Sequence, residues 1–135
     1  MKTVWEKYKD SYKPIMDFAE GYKSFITSAK TEREQVTNSI ALAEKYGYKN
    51  LDTVKEVKAG DKVYINNRGK SLCLFVIGEK DIEEGLNILG AHVDSPRIDI
   101  KQNPLYEDNG ICLLDTHYYG GIKKYQWVAQ PMALH

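Results

Sequence analysis

His92 and Asp94 are the side chains whose types and spacing point most directly to chemistry. They lie in Gly90-Ala91-His92-Val93-Asp94-Ser95-Pro96. The apolar run from Leu86 to His92 predicts a strand, which would leave both residues at its C-terminal mouth. In an extended chain residues i and i+2 point to the same side, so His92 and Asp94 would face one site. An imidazole binds zinc through one nitrogen. A carboxylate that accepts a hydrogen bond from the other nitrogen fixes the tautomer and makes the ligand more basic. The small pair Gly90-Ala91 leaves room for a metal, and Pro96 biases Ser95 away from helical geometry. His-x-Asp is nonetheless a short pattern, and ligand-type residues are often structural. The same residues describe a hydrogen-bonded histidine at a strand end and an aspartate that opens the turn before Pro96.

The other reactive side chains carry less. His117, in Asp115-Thr116-His117, repeats the two-residue spacing in reverse order, in a segment expected to be a loop. A surface or interface histidine is the simpler reading. Ser71 and Ser95 have no base at a recognisable spacing, which speaks against a serine hydrolase. Cys73 sits inside an apolar run and is expected to be a buried, inert thiol. Cys112 has unrelated surroundings, and two such thiols make no disulfide framework. Gly85 and Gly90 bracket a strand rather than open a helix, so they form no phosphate loop.

The elements that must position His92 begin with helices. Ile15, Phe18, Ala19, Tyr22, Phe25, Ile26 and Ala29 recur at helical spacing and predict an amphipathic helix over 10–30, with Pro14 in its first turn. Thr31-Glu32-Arg33-Glu34 is a capping box that opens a second helix, about 32–46, with Val36, Ile40 and Ala43 inward and Gly47 as its stop. The pattern then changes. Residues 62–66 and 71–77 predict strands around the turn residues Asn66-Asn67-Arg68-Gly69. Residues 97–101 alternate polar and apolar side chains, as a half-buried strand does. Residues 102–110 are expected to be a loop, with further strands at 111–114 and 125–128. The closing Pro131-Met132-Ala133-Leu134-His135 looks like a strand cut short. Helices first and strands later predict an α/β sandwich.

The composition bounds the function. The 135 residues are 42% hydrophobic, enough for a core, and carry 19 basic and 19 acidic side chains. No basic stripe marks a nucleic-acid binder. No apolar stretch reaches a membrane-spanning length, and the first residues show no secretory h-region. A cytoplasmic protein is expected.

The segment Gly90 to Pro96, followed by Arg97-Ile98-Asp99-Ile100-Lys101 and Asn103-Pro104, resembles the His-x-Asp-Ser-Pro segment of the aspartyl-aminopeptidase family of zinc exopeptidases, peptidase family M18. Tyr119-Gly120-Gly121 resembles that family's Tyr-Gly-Gly. Residues 125–130 depart from the Trp-Phe-Asp-Arg of members that prefer acidic N-terminal residues and look more like the bacterial branch. The resemblance therefore carries no such preference here.

The resemblance implies a metalloaminopeptidase that hydrolyses N-terminal residues from peptides with a metal-activated water. It implies two Zn2+ per active site, with His92 a ligand of one and Asp94 supporting His92 from behind. The remaining ligands and the general base would lie beyond residue 135, so this chain alone is expected to be inactive. The implied fold is an incomplete α/β sandwich of a two-zinc catalytic domain over 1–102. Residues 103–135 would start an inserted β-rich dimerisation domain, which implies a homo-oligomer. The alternative is a small α/β interaction module, or a gene remnant, in which His92 binds no metal.

Overall fold

The structure is a computed structural model that describes residues 2–135. The chain divides into two compact units, one ending at Val93 and one beginning at Asp94.

The first unit opens with α1 (Val4–Lys7). The Thr3 hydroxyl accepts from the Glu6 amide, and the Glu6 carboxylate accepts from the Thr3 amide at 2.8 Å. This helix is absent from the expectations above, although Thr3-Val-Trp-Glu6 carries the same signal as Thr31–Glu34. A 3₁₀ turn leads into α2 (Tyr12–Thr27), with Pro14 in its first turn. There the missing N–H has no intrahelical partner to lose. The apolar stripe is only partly covered: Ile15, Ala19 and Phe25 are half-buried, while Phe18, Tyr22 and Ile26 are exposed.

Helix α3 (Glu32–Lys45) follows the sequence closely. The Thr31 hydroxyl accepts from the Glu34 amide, and the Glu34 carboxylate accepts from the Thr31 amide. Val36 and Ala43 are buried and Ile40 half-buried. Gly47, at φ +85°, ends the helix, and the Tyr48 amide returns to the Ala43 carbonyl. Thr31→Ala should cost about 1 kcal/mol, the usual worth of such a cap. A lower urea midpoint at unchanged slope would register it.

Three strands form a sheet in the order β1 (Lys49–Asn50), β2 (Lys62–Asn67), β3 (Ser71–Val76). β1 runs parallel to β2, and β2 antiparallel to β3. At the β2–β3 tip Arg68 and Gly69 both have positive φ, as a type I′ turn requires. Arg33 of α3 donates to the Arg68 carbonyl at 3.1 Å and so ties this tip to the helix. Buried Tyr64 links β2 to α3 by donating its hydroxyl to Glu44 at 2.9 Å. That hydrogen bond, then burial, then the Glu44 charge push the Tyr64 pKa above its ordinary 10.0. A raised pKa means that the contact stabilises fully below about pH 10 and is lost as pH climbs through the folded value. Melting should therefore fall more steeply with alkali in the wild type than in Tyr64→Phe.

Helix α3 covers one sheet face only. Tyr64 and its cross-strand partner Leu74 lie on that face. Leu74 lines a cavity of about 430 Å³ together with Phe25, Leu42, Ala43 and Tyr46. Residues directly opposite in an antiparallel pair share a face. Ile65 with Cys73, and Val63 with Phe75, thus lie on the other one. Val63 is buried there, whereas Ile65, Cys73 and Phe75 are exposed. Cys73 is therefore not the buried thiol expected from its apolar run.

The expected strand from Leu86 to His92 does not form. After a 3₁₀ turn at Ile82–Glu84, residues 85–96 have no regular secondary structure. A strand exists only where its amides and carbonyls meet another backbone. None of the described strands pairs with this segment, and Leu86, Ile88 and Leu89 are exposed.

The second unit is built on one antiparallel ribbon, β4 (Arg97–Asp108) with β5 (Ile111–Tyr119). Its two-residue turn, Asn109-Gly110, has φ values of +53° and +77°, again the type I′ signature. Residues 102–110, expected as a loop, are thus the outer half of a hairpin and its tip. The register slips between Ile100 and Leu105, around Pro104, which has no N–H to give to the ladder. Residues 125–128, expected as a strand, instead lie in the short helix α4 (Lys124–Trp127) and its C-cap. The Lys123 carbonyl accepts from both the Gln126 and Trp127 amides, a purely local closure. Mixed helix and sheet, with Ile65, Cys73 and Phe75 left exposed, is consistent with the α/β class that the sequence predicts.

Candidate metal centre

His92 lies near the end of the irregular segment that closes the first unit, and its side chain is exposed. Asp94 opens the second unit and is half-buried. The boundary between the units falls between Val93 and Asp94. His-x-Asp is therefore supplied by an irregular segment, not by a strand mouth.

The chain after Asp94 is held firmly. Pro96 packs on Gly120: a Cβ built at Gly120 would lie 3.4 Å from Pro96 Cα, and Gly120 has φ +73°. Any other residue there would be strained by that positive φ. Arg97 and Tyr119 form the first pair of the ribbon, and the Arg97 guanidinium carbon lies 4.1 Å from the centre of the Tyr119 ring. Arg97 Nε also donates to Asp99 Oδ1 at 2.7 Å.

His117 belongs to β5, not to a loop. It pairs with Asp99 across the ribbon, and its Nε2 lies 4.0 Å from Asp99 Oδ2. Asp115 is paired instead with Lys101 at 2.9 Å. The Asp115-x-His117 spacing therefore serves two separate cross-strand contacts. Arg97, Asp99 and Lys101 face Tyr119, His117 and Asp115 in one charged and aromatic row. The alternation at 97–101 announces that row in the sequence, but its partners cannot be named before the hairpin register is known.

Among the described residues no group of three or more His, Cys, Asp or Glu side chains could hold a metal ion. A catalytic zinc needs about three protein ligands. An exposed imidazole with a carboxylate two residues on suits one ligand and its support. The donor set fits part of a zinc centre and not the whole of one. Among the described residues no helix is long and apolar enough to cross a membrane.

The chain is similar to known proteins over nearly its whole length. Residues 25–135 match the family model described as aminopeptidase I zinc metalloprotease (M18). A probable M18 family aminopeptidase 1 of Clostridium acetobutylicum is 53% identical over 139 residues, covering 99% of this chain and 30% of that protein. The crystal structure of aminopeptidase I from Borrelia burgdorferi superposes with a TM-score of 0.87 at 40% identity, covering 96% of this chain and 32% of that one. The M18 aminopeptidase structure from Thermotoga maritima gives 0.81 at 41% identity, over 93% and 27%. The chain thus spans about 30% of the length of the relatives it matches.

Proposed function

Since the chain belongs to the M18 family of aminopeptidase I zinc metalloproteases, we propose that it is the N-terminal portion of an enzyme that hydrolyses N-terminal residues from peptides. The observation that carries this reading is the family match over residues 25–135, which includes the His92 segment. In this reading His92 holds one zinc of a two-zinc centre. Asp94 accepts a hydrogen bond from the other imidazole nitrogen and so keeps the coordinating nitrogen free and basic. When bound, a pair of zinc ions supplies an activated water and polarises the scissile carbonyl. The remaining ligands and the general base come from chain beyond residue 135, so the 135-residue piece is inactive by itself. Residues 1–102 belong to the catalytic domain and 103–135 begin the inserted domain. The full-length protein is a cytoplasmic homo-oligomer whose partners are peptide substrates, not nucleic acid or membrane.

The test uses the full-length protein and one peptide with a free or an acetylated N-terminus. Single residues should be released in order from the free peptide only, and a chelator should stop the release. Cleavage inside the acetylated peptide would argue for an endopeptidase and against this reading.

A further inference from the structure

The ladder of the β4–β5 ribbon begins at the pair Arg97/Tyr119. One residue beyond it the two chain ends still run side by side, close enough that a Cβ at Gly120 would lie against Pro96. At the pair itself the Arg97 guanidinium carbon lies 4.1 Å from the centre of the Tyr119 ring, and its Nε donates to Asp99. Asp99 in turn offers its second oxygen to His117 on the opposite strand. A planar guanidinium presents its face to an aromatic ring and its N–H edge to a carboxylate in one fixed geometry, whereas an ammonium is a compact charge with rotatable donors and fixes neither partner as firmly. The end of a ribbon is where fraying starts, and here the Arg97–Tyr119 contact and the approach of Asp99 to His117 both cross it. Ser95 alone separates the tie at Pro96 from Asp94.

We propose that Arg97 is a positioning residue for the metal centre: with Tyr119 and the Pro96–Gly120 contact it forms a clasp that fixes the backbone from which Asp94 projects. The proposal rests on the assignment of Asp94 above as the support of a zinc-binding His92. Without the clasp the ribbon end opens, Asp94 samples several orientations, and His92 binds zinc more weakly. The effect travels through Asp94, so it is smaller than removing that carboxylate.

The experiment measures zinc affinity by chelator competition in the full-length protein, and activity against added zinc. Arg97→Gln and Arg97→Lys should each weaken zinc binding by about 3–10-fold, below the 10–100-fold of a direct partner of the ligand. Excess zinc should restore kcat toward wild type, a rescue that general misfolding would not show. Lys101→Ala breaks the ion pair with Asp115 on the same face, further from the clasp, and should leave zinc affinity unchanged. Should Arg97→Gln fold poorly, Arg97→Lys keeps the charge and still lacks the fork. Wild-type affinity in both Arg97 variants, with zinc lost from His92→Ala, would overturn the clasp and leave the ligand assignment standing. An equal loss in Lys101→Ala would also overturn it, by pointing to the ribbon as a whole. Full zinc in His92→Ala would remove the assignment on which the clasp depends.

Discussion

In the full-length protein, His92→Ala is expected to remove most peptidase activity and about one zinc equivalent per chain, as the loss of one of about three protein ligands should. No other described imidazole or carboxylate group can replace it, since none of them clusters into a metal site. The substitution should cost little stability, because His92 is exposed and lies outside the helices and strands. Surface changes of that kind usually stay within about 0.5 kcal/mol. Metal analysis beside melting curves of the zinc-stripped proteins separates the two effects: zinc content falls, while the metal-free midpoints agree. Wild-type activity with full zinc would mean that His92 is a structural histidine.

The second large effect is expected from Asp94→Asn, which keeps size and shape while removing the charge. The amide oxygen can still accept a hydrogen bond from the imidazole, but it no longer makes the ligand as basic. Zinc affinity or activity should drop by about 10–100-fold, the usual range for a partner behind a ligand. Zinc titration against a competing chelator gives the number directly. A variant indistinguishable from wild type would place Asp94 in the turn before Pro96 and nowhere else.

What could be foreseen follows from how far each signal reaches along the chain. The Thr31–Glu34 box and Gly47 mark α3 almost to the residue, because a cap is made by neighbours three or four positions apart. The β2–β3 hairpin is legible for the same reason: Arg68 and Gly69 announce their own turn. The failures need partners from elsewhere. Residues 86–92 have the composition of a strand and no described strand beside them. Cys73 lies in an apolar run, but its burial depends on which sheet face α3 covers. The Asn109-Gly110 turn was readable in principle, and Pro104 hid it by suggesting a loop where the ribbon only changes register. His92 and Asp94 were found by residue type and spacing, and their significance came from the family likeness. Their mutual geometry was tied to a strand that does not form.

The two-residue turn at Asn109-Gly110 has a consequence in time. Every pairing in the β4–β5 ribbon is local, from Asp108 with Ile111 out to Arg97 with Tyr119. Hairpins of this kind close in about 1–10 μs. A ribosome adds about 5–20 residues per second. The ribbon can therefore zip shut in the interval before the next amino acid is joined, as soon as Tyr119 is clear of the exit tunnel. Helix α3 and the β2–β3 hairpin, equally local, have emerged by then. The newborn stretch that carries His92 and Asp94 would thus first encounter zinc with its downstream end already anchored, while most of the polypeptide expected from its relatives is still to be translated.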